Sequence, residues 1–180
     1  MARVSKRYDL LEAVVAIIER DGLTPVTLDA VATETGMTRA GLLYHFPSRE
    51  TLIRATHEHL TAQWERDLVA QAGKPADEAS DAERHAAYVA VCFASARRVE
   101  LLLMLENSEA GGLGDLWQDV IDRWAPPAPD PDDAGGVDRF VARLAADGLW
   151  MHEALSTKPL EPTLRRRIVA RLADLLGGRA

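Results

Sequence analysis

The chain has 180 residues, 47% of them hydrophobic and 27% charged, a balance that excludes a disordered or collagen-like protein and is ample for a buried core. Its formal net charge is −7, which opposes a uniformly basic nucleic-acid binder, because phosphate neutralisation supplies most non-specific affinity. The charge is uneven, however: residues 1–60 hold 7 Lys+Arg against 8 Asp+Glu (−1), and residues 61–180 hold 14 against 20 (−6), so a DNA-facing patch is still available near the N-terminus.

Leu10, Leu11, Val14, Val15, Ile17 and Ile18 recur at helical spacing between Ser5, a candidate cap, and Gly22, which predicts an amphipathic helix over 6–20. Thr27 is placed to cap a short helix whose Leu28, Val31 and Ala32 face inward, and Gly36 ends it in a turn. A second short helix follows, capped by Thr38 and carrying Leu42 and Leu43, until Pro47-Ser48 breaks the chain. One long helix is expected from Arg49 to about Gln71, with Gly73-Lys74-Pro75 behind it. Ser80-Asp81-Ala82-Glu83 has capping-box spacing and opens a helix to about Ala96. Val99–Glu106 contains five consecutive apolar residues, which implies burial all round; Gly111-Gly112 then precedes a helix with Leu116, Trp117, Val120, Ile121 and Trp124.

Residues 126–136, PPAPDPDDAGG, read as a mobile surface connection. Two final helices, Val137–Leu155 and Pro162–Leu176, have apolar stripes suited to closing a bundle with a second copy. No strand pattern, repeat or nucleotide loop is legible, so the fold class is all-α.

The most informative stretch is residues 27–46, TLDAVATETGMTRAGLLYHF. A helix-turn-helix needs a first helix that braces the second, and a second whose outer face enters the major groove while its inner face packs on the module. Gly36 supplies the turn, Val31, Met37 and Leu42 a small core, and Ala40 and Gly41 the short side chains that let a helix approach bases.

This stretch continues into Tyr44-His45-Phe46-Pro47-Ser48-Arg49-Glu50-Thr51-Leu52, and across residues 5–55 the chain resembles the TetR family of bacterial repressors. The resemblance implies an N-terminal three-helix helix-turn-helix domain (residues 1–50) followed by a larger helical ligand-binding and dimerisation domain (residues 51–180). It implies a DNA-binding set of Thr27, Thr38, Arg39, Gly41, Tyr44, His45 and Arg49. Within it, Arg39 reads guanine through O6 and N7, Thr38 and Gly41 flank the bases, and Tyr44 and His45 contact phosphate and sugar. Thr27 and Arg49 clamp the backbone near helix N-termini. Arg3, Lys6 and Arg7 suit either a basic arm or a solvated terminus. The chain departs from the common family pattern at Leu43, where an aromatic residue is usual, and at Asp29, where some members carry a basic base-contacting residue, so a different operator sequence is expected.

Trp64, Phe93, Trp117, Trp124, Phe140 and Trp150 all lie beyond the DNA module. The resemblance implies an effector cavity lined by Trp64, Leu68, Phe93, Leu101, Met104, Asn107, Trp117 and Ile121, with Glu106 nearby, although each of these residues also suits ordinary packing. The implied partners are double-stranded operator DNA, a small-molecule effector and a second copy bound through the last two helices. The effector is expected to move the long helix near Leu60 and Trp64, separating the two modules and releasing the operator.

Catalytic residues, metal ligands and cofactors are not expected. His57-Glu58-His59 places two imidazoles two residues apart on a helix, where they diverge; His85 and His152 have no ligand-spaced neighbours; no triad or carboxylate pair is legible. The lone Cys92, between Val91 and Phe93, reads as a small buried hydrophobe. With no run of about 18 apolar residues and no signal-peptide core, a cytoplasmic protein without membrane attachment is expected. The acidic balance, Asp29 and Leu43 leave a second reading open: a helical small-molecule binding protein with a degenerate DNA module.

Overall fold

The computed structural model describes residues 6–94, 96–106, 113–158 and 160–177, which form nine helices and no strand. They are α1 (Lys6–Asp21), α2 (Leu28–Thr35), α3 (Arg39–His45), α4 (Arg49–Ala72), α5 (Asp81–Ala94), α6 (Arg98–Glu106), α7 (Gly114–Trp124), α8 (Ala134–Leu155) and α9 (Pro162–Leu176). Ser5, Gly111 and Gly112, expected as a cap and a break, lie outside the described residues, as do Arg3 and Asn107. Among the described residues no helix is long and apolar enough to cross a membrane.

The chain divides into two compact units, residues 1–62 with 98–116, and residues 63–97 with 117–180. In the first, α1 buries the six apolar residues that define its stripe, each worth roughly 1.5–3 kcal/mol relative to exposure. It packs against α2 and α6. Gly22 ends it in the left-handed region, with its N–H on the Ile18 carbonyl at 2.9 Å. Two side-chain ties hold α1 to its neighbours: Arg20 forks over both oxygens of Glu34 at 3.2 Å, and His59 on α4 meets Glu12 at 2.6 Å with the Tyr8 ring edge-on to it. At the start of α4, Ser48 and Thr51 cap reciprocally: the Ser48 N–H donates to Thr51 Oγ1 at 3.0 Å and the Thr51 N–H to Ser48 Oγ at 3.2 Å.

In the second unit α5, α8 and α9 pack against one another around Tyr88, Val91, Cys92, Phe93, Trp124, Ala142, Ala146, Leu149 and Leu172. The capping box at the head of α5 forms as its spacing requires: Ser80 N–H donates to Glu83 at 2.8 Å, and Lys74 adds an ion pair at 2.8 Å. These donors hold the Glu83 carboxyl well below its usual range, at about 2.

The connection over 126–136 lies at the surface, with residues 127, 128 and 130–135 exposed, and is tied down at both ends. Pro126 and Gly136 are buried, Arg143 donates to the Pro126 carbonyl at 2.7 Å, and Asp133 caps α8 by accepting from the Gly136 N–H at 2.9 Å. Consequently α8 begins at Ala134 rather than at Val137. Gly136 is required by close approach, since a Cβ there would lie 2.3 Å from Asp133 Oδ2 and 2.7 Å from Pro129 Cβ.

Candidate nucleic-acid interface and effector region

The turn between α2 and α3 is built from three local signals. Thr27 accepts from the Ala30 N–H at 3.1 Å and fixes the start of α2. Gly36, at φ +64°, closes α2 in the left-handed region that a Cβ disfavours, and the Met37 N–H returns to the Ala32 carbonyl at 2.9 Å. Thr38 then accepts from the Gly41 N–H at 3.1 Å and starts α3. Both threonine hydroxyls use an oxygen lone pair for capping, which leaves the O–H available to donate outward.

The two faces of α3 differ sharply. Leu42 is fully buried, as are Val31 on α2 and Phe46 at the end of α3. Thr38, Arg39, Ala40, Leu43 and Tyr44 are exposed, Tyr44 at 86%. A large aromatic side chain left this open on α3 is available to a partner outside the chain. His45 is half-buried, its ring T-shaped against Tyr44 at 5.4 Å. Gly41 has a packing role as well as a steric one, since a Cβ there would press on Met37 Cγ at 3.1 Å and Thr38 Oγ1 at 3.2 Å.

Both guanidinium groups expected to contact DNA also have intramolecular partners. The Arg39 Nη1 donates to Asp29 Oδ2 at 3.1 Å across the turn. Arg49 is half-buried and donates from Nε to the Val26 carbonyl at 2.8 Å. The Arg39–Asp29 pair is absent from the sequence expectations; the signal for it is opposite charge at the first turns of two helices joined by a glycine turn. Of the basic residues before α1's stripe, Lys6 is exposed and Arg7 places its guanidinium 5.2 Å from the centre of the Phe46 ring.

The residues expected to meet an effector fall in both units. In the second, Leu68, Phe93 and Trp117 are buried and Trp64 and Ile121 half-buried. The Trp64 ring lies 6.0 Å from both Tyr88 and Trp117, so these three aromatics form one cluster. Beside it, Tyr88 donates to Asp147 at 2.6 Å, and burial pushes both the phenol and the carboxyl upward. Glu65 takes a fork from Arg123 at 2.9 and 2.7 Å. In the first unit, Leu101 is buried and Met104 half-buried on α6.

His57 and His59 diverge, as their spacing requires: His57 is fully buried, whereas His59 is held by Glu12. Burial, with a smaller push from Arg54, lowers the His57 pKa to about 4.

These features define a helix-turn-helix protein with an all-helical second unit. The model of the bacterial regulatory proteins of the tetR family matches residues 10–56, and the model of the tetracyclin repressor-like C-terminal domain matches residues 82–177. The chain belongs to the TetR family. It is similar to the HTH-type transcriptional regulator BetI of Brucella canis, 34% identical over 95 residues, which cover 51% of this chain and 45% of that protein; the match therefore spans about half the length of these curated relatives. Its fold is similar to that of a putative transcriptional regulator from Saccharomonospora viridis in complex with choline (TM-score 0.69, 20% identity, 96% of each chain). It is also similar to AibR in complex with isovaleryl coenzyme A and operator DNA (TM-score 0.66, 18% identity, 95% of this chain and 97% of that one).

Proposed function

We propose that this chain is a DNA-binding transcriptional repressor of the cytoplasm that grips a palindromic operator as a homodimer and is released by a small-molecule effector. The observation that carries the reading is the division of α3 between fully buried Leu42 and the exposed edge of Thr38, Arg39 and Tyr44. That edge carries the residue types that duplex recognition needs, namely a guanidinium for guanine and hydroxyl donors for phosphate. Residues 1–50 form the DNA module, with Thr27, Gly41, His45 and Arg49 completing or supporting its surface, and residues 51–180 sense and dimerise.

Dimerisation through the last two helices is supported by α8. Val137, Val141, Leu144, Gly148, Met151 and Leu155 lie four, three, four, three and four residues apart, and all are exposed. This alternation is a coiled-coil seam, and a continuous exposed apolar stripe marks an interface. Exposed Leu164 on α9 extends it. A two-fold pair would place two α3 edges in successive major grooves, about 34–36 Å apart.

For the effector, Trp64, Leu68, Phe93, Trp117 and Ile121 of the second unit supply apolar and aromatic surface suited to an organic molecule. Aromatic faces also attract quaternary ammonium groups, and the choline complex of the Saccharomonospora neighbour makes choline a first probe. Release acts through α4, which carries Leu60 and Trp64 on one continuous helix. The test is selection from a random duplex pool at physiological salt, followed by effector titration of the complex. Enrichment of a palindrome supports the reading. Failure to enrich any duplex, with retained small-molecule binding, supports a helical binding protein with a degenerate DNA module instead.

A further inference from the structure

Asp29 is the second residue of α2 and Arg39 the first of α3, and the Thr27 cap, the Gly36 turn and the Thr38 cap fix the separation of those two helix starts. Their ion pair at 3.1 Å leaves both side chains about two-thirds exposed, 66% for Asp29 and 63% for Arg39. Such a pair adds little to stability. It does bias orientation: with Nη1 on Oδ2, the edge of the guanidinium formed by Nε and Nη2 is left open, and neither these two nitrogens nor Oδ1 of Asp29 has a partner among the described residues. The pair therefore presents two donors and one acceptor together on the recognition face.

The major groove distinguishes such an arrangement. Guanine offers two acceptors, O6 and N7, to a guanidinium fork, while cytosine N4 and adenine N6 are the amino donors that a carboxylate can accept from. Thymine O4 and the guanine acceptors repel a carboxylate, as do phosphates. An acidic residue on this face lowers affinity for every sequence, and lowers it least where an amino group sits in reach; that is discrimination by repulsion of the wrong partner.

We infer that Asp29 is a specificity-determining residue: it orients Arg39 on a guanine and accepts a hydrogen bond from the amino group of an adjacent cytosine or adenine in each half-site. The inference rests on the DNA-binding reading above. It is tested by parallel selections from one random duplex pool with the full wild-type chain, Asp29→Ala and Asp29→Asn, after circular dichroism has shown equal helix content. The wild type enriches guanine next to cytosine or adenine. Asp29→Ala binds random DNA more tightly, loses the preference at the neighbouring position, and has a specific-to-random affinity ratio lower by about five- to 150-fold. Asp29→Asn shifts that position toward adenine, which an amide can bond through N6 and N7. Identical enriched bases and an identical ratio for wild type and Asp29→Ala overturn the inference while leaving DNA binding standing. A wild type that enriches no duplex overturns the DNA-binding reading, and the inference with it.

Discussion

The Arg49 guanidinium on α4 is fastened to the loop between α1 and α2, its Nε donating to the Val26 carbonyl at 2.8 Å and its Nη2 reaching the Leu23 carbonyl at 3.5 Å. A residue expected to clamp DNA thus also positions the module that carries α3. Removing a half-buried, charge-assisted hydrogen bond costs roughly 1.5–3 kcal/mol. Arg49→Ala should lower the urea midpoint accordingly with an unchanged slope, and Arg49→Lys should not restore it, because an ammonium lacks the planar fork that spans two carbonyls. An unaltered midpoint in Arg49→Ala would mean that the staple is not made.

Gly36 occupies φ +64° with open space around a hypothetical Cβ, so a substitution there is penalised by backbone strain alone. Gly36→Ala should destabilise the chain by about 1–2 kcal/mol, and Gly36→Asn by less, since asparagine tolerates the left-handed region. Thermal unfolding of the two variants ranks them; equal melting temperatures would contradict the strain argument.

His57 makes stability depend on mildly acidic pH. Its folded pKa, about 4, lies below the ordinary value of 6.5, so the unfolded chain binds the extra proton between those values. Stability contributed by neutral His57 is complete above about pH 6.5 and declines as pH falls towards 4, by up to roughly 3 kcal/mol. Denaturant unfolding between pH 7 and 5, a window chosen above most carboxylate titrations, should show a steeper loss in wild type than in His57→Gln. Parallel curves would remove His57 as the source.

The α8 stripe predicts that Leu144→Glu is monomeric. Leu144 is 54% exposed in the single chain, so the change should leave helix content and monomer packing intact, surface substitutions being worth about 0.5 kcal/mol or less. Light scattering coupled to size exclusion reads the mass directly, and operator affinity should fall with it. A variant that remains dimeric places the interface elsewhere.

Much of this molecule is legible in its sequence because its signals are local. The α1 stripe, the Thr27 and Thr38 caps, the Gly36 turn and the Ser80–Glu83 capping box each link residues no more than four positions from the next, and each lies where spacing places it. What is not legible is long-range. The reach of Arg49 to Val26, the Tyr88–Asp147 bond over 59 positions and the Glu12–His59 tie over 47 depend on tertiary packing that no periodicity encodes. The anchoring of the 126–136 connection is not legible for a related reason: its proline and glycine content signals a surface turn, but the bonds that hold Pro126 and Gly136 come from Arg143 on α8 and from the cap residue Asp133.

The central claim is that α3 presents its polar edge twice to one face of a duplex. Hydroxyl-radical footprinting of the selected operator, with wild type and with Arg39→Ala as control, tests it most directly. The account predicts two protected patches about one helical turn apart, roughly 10–10.5 base pairs centre to centre, both weakened in Arg39→Ala. A single patch, or protection indifferent to Arg39, would contradict it.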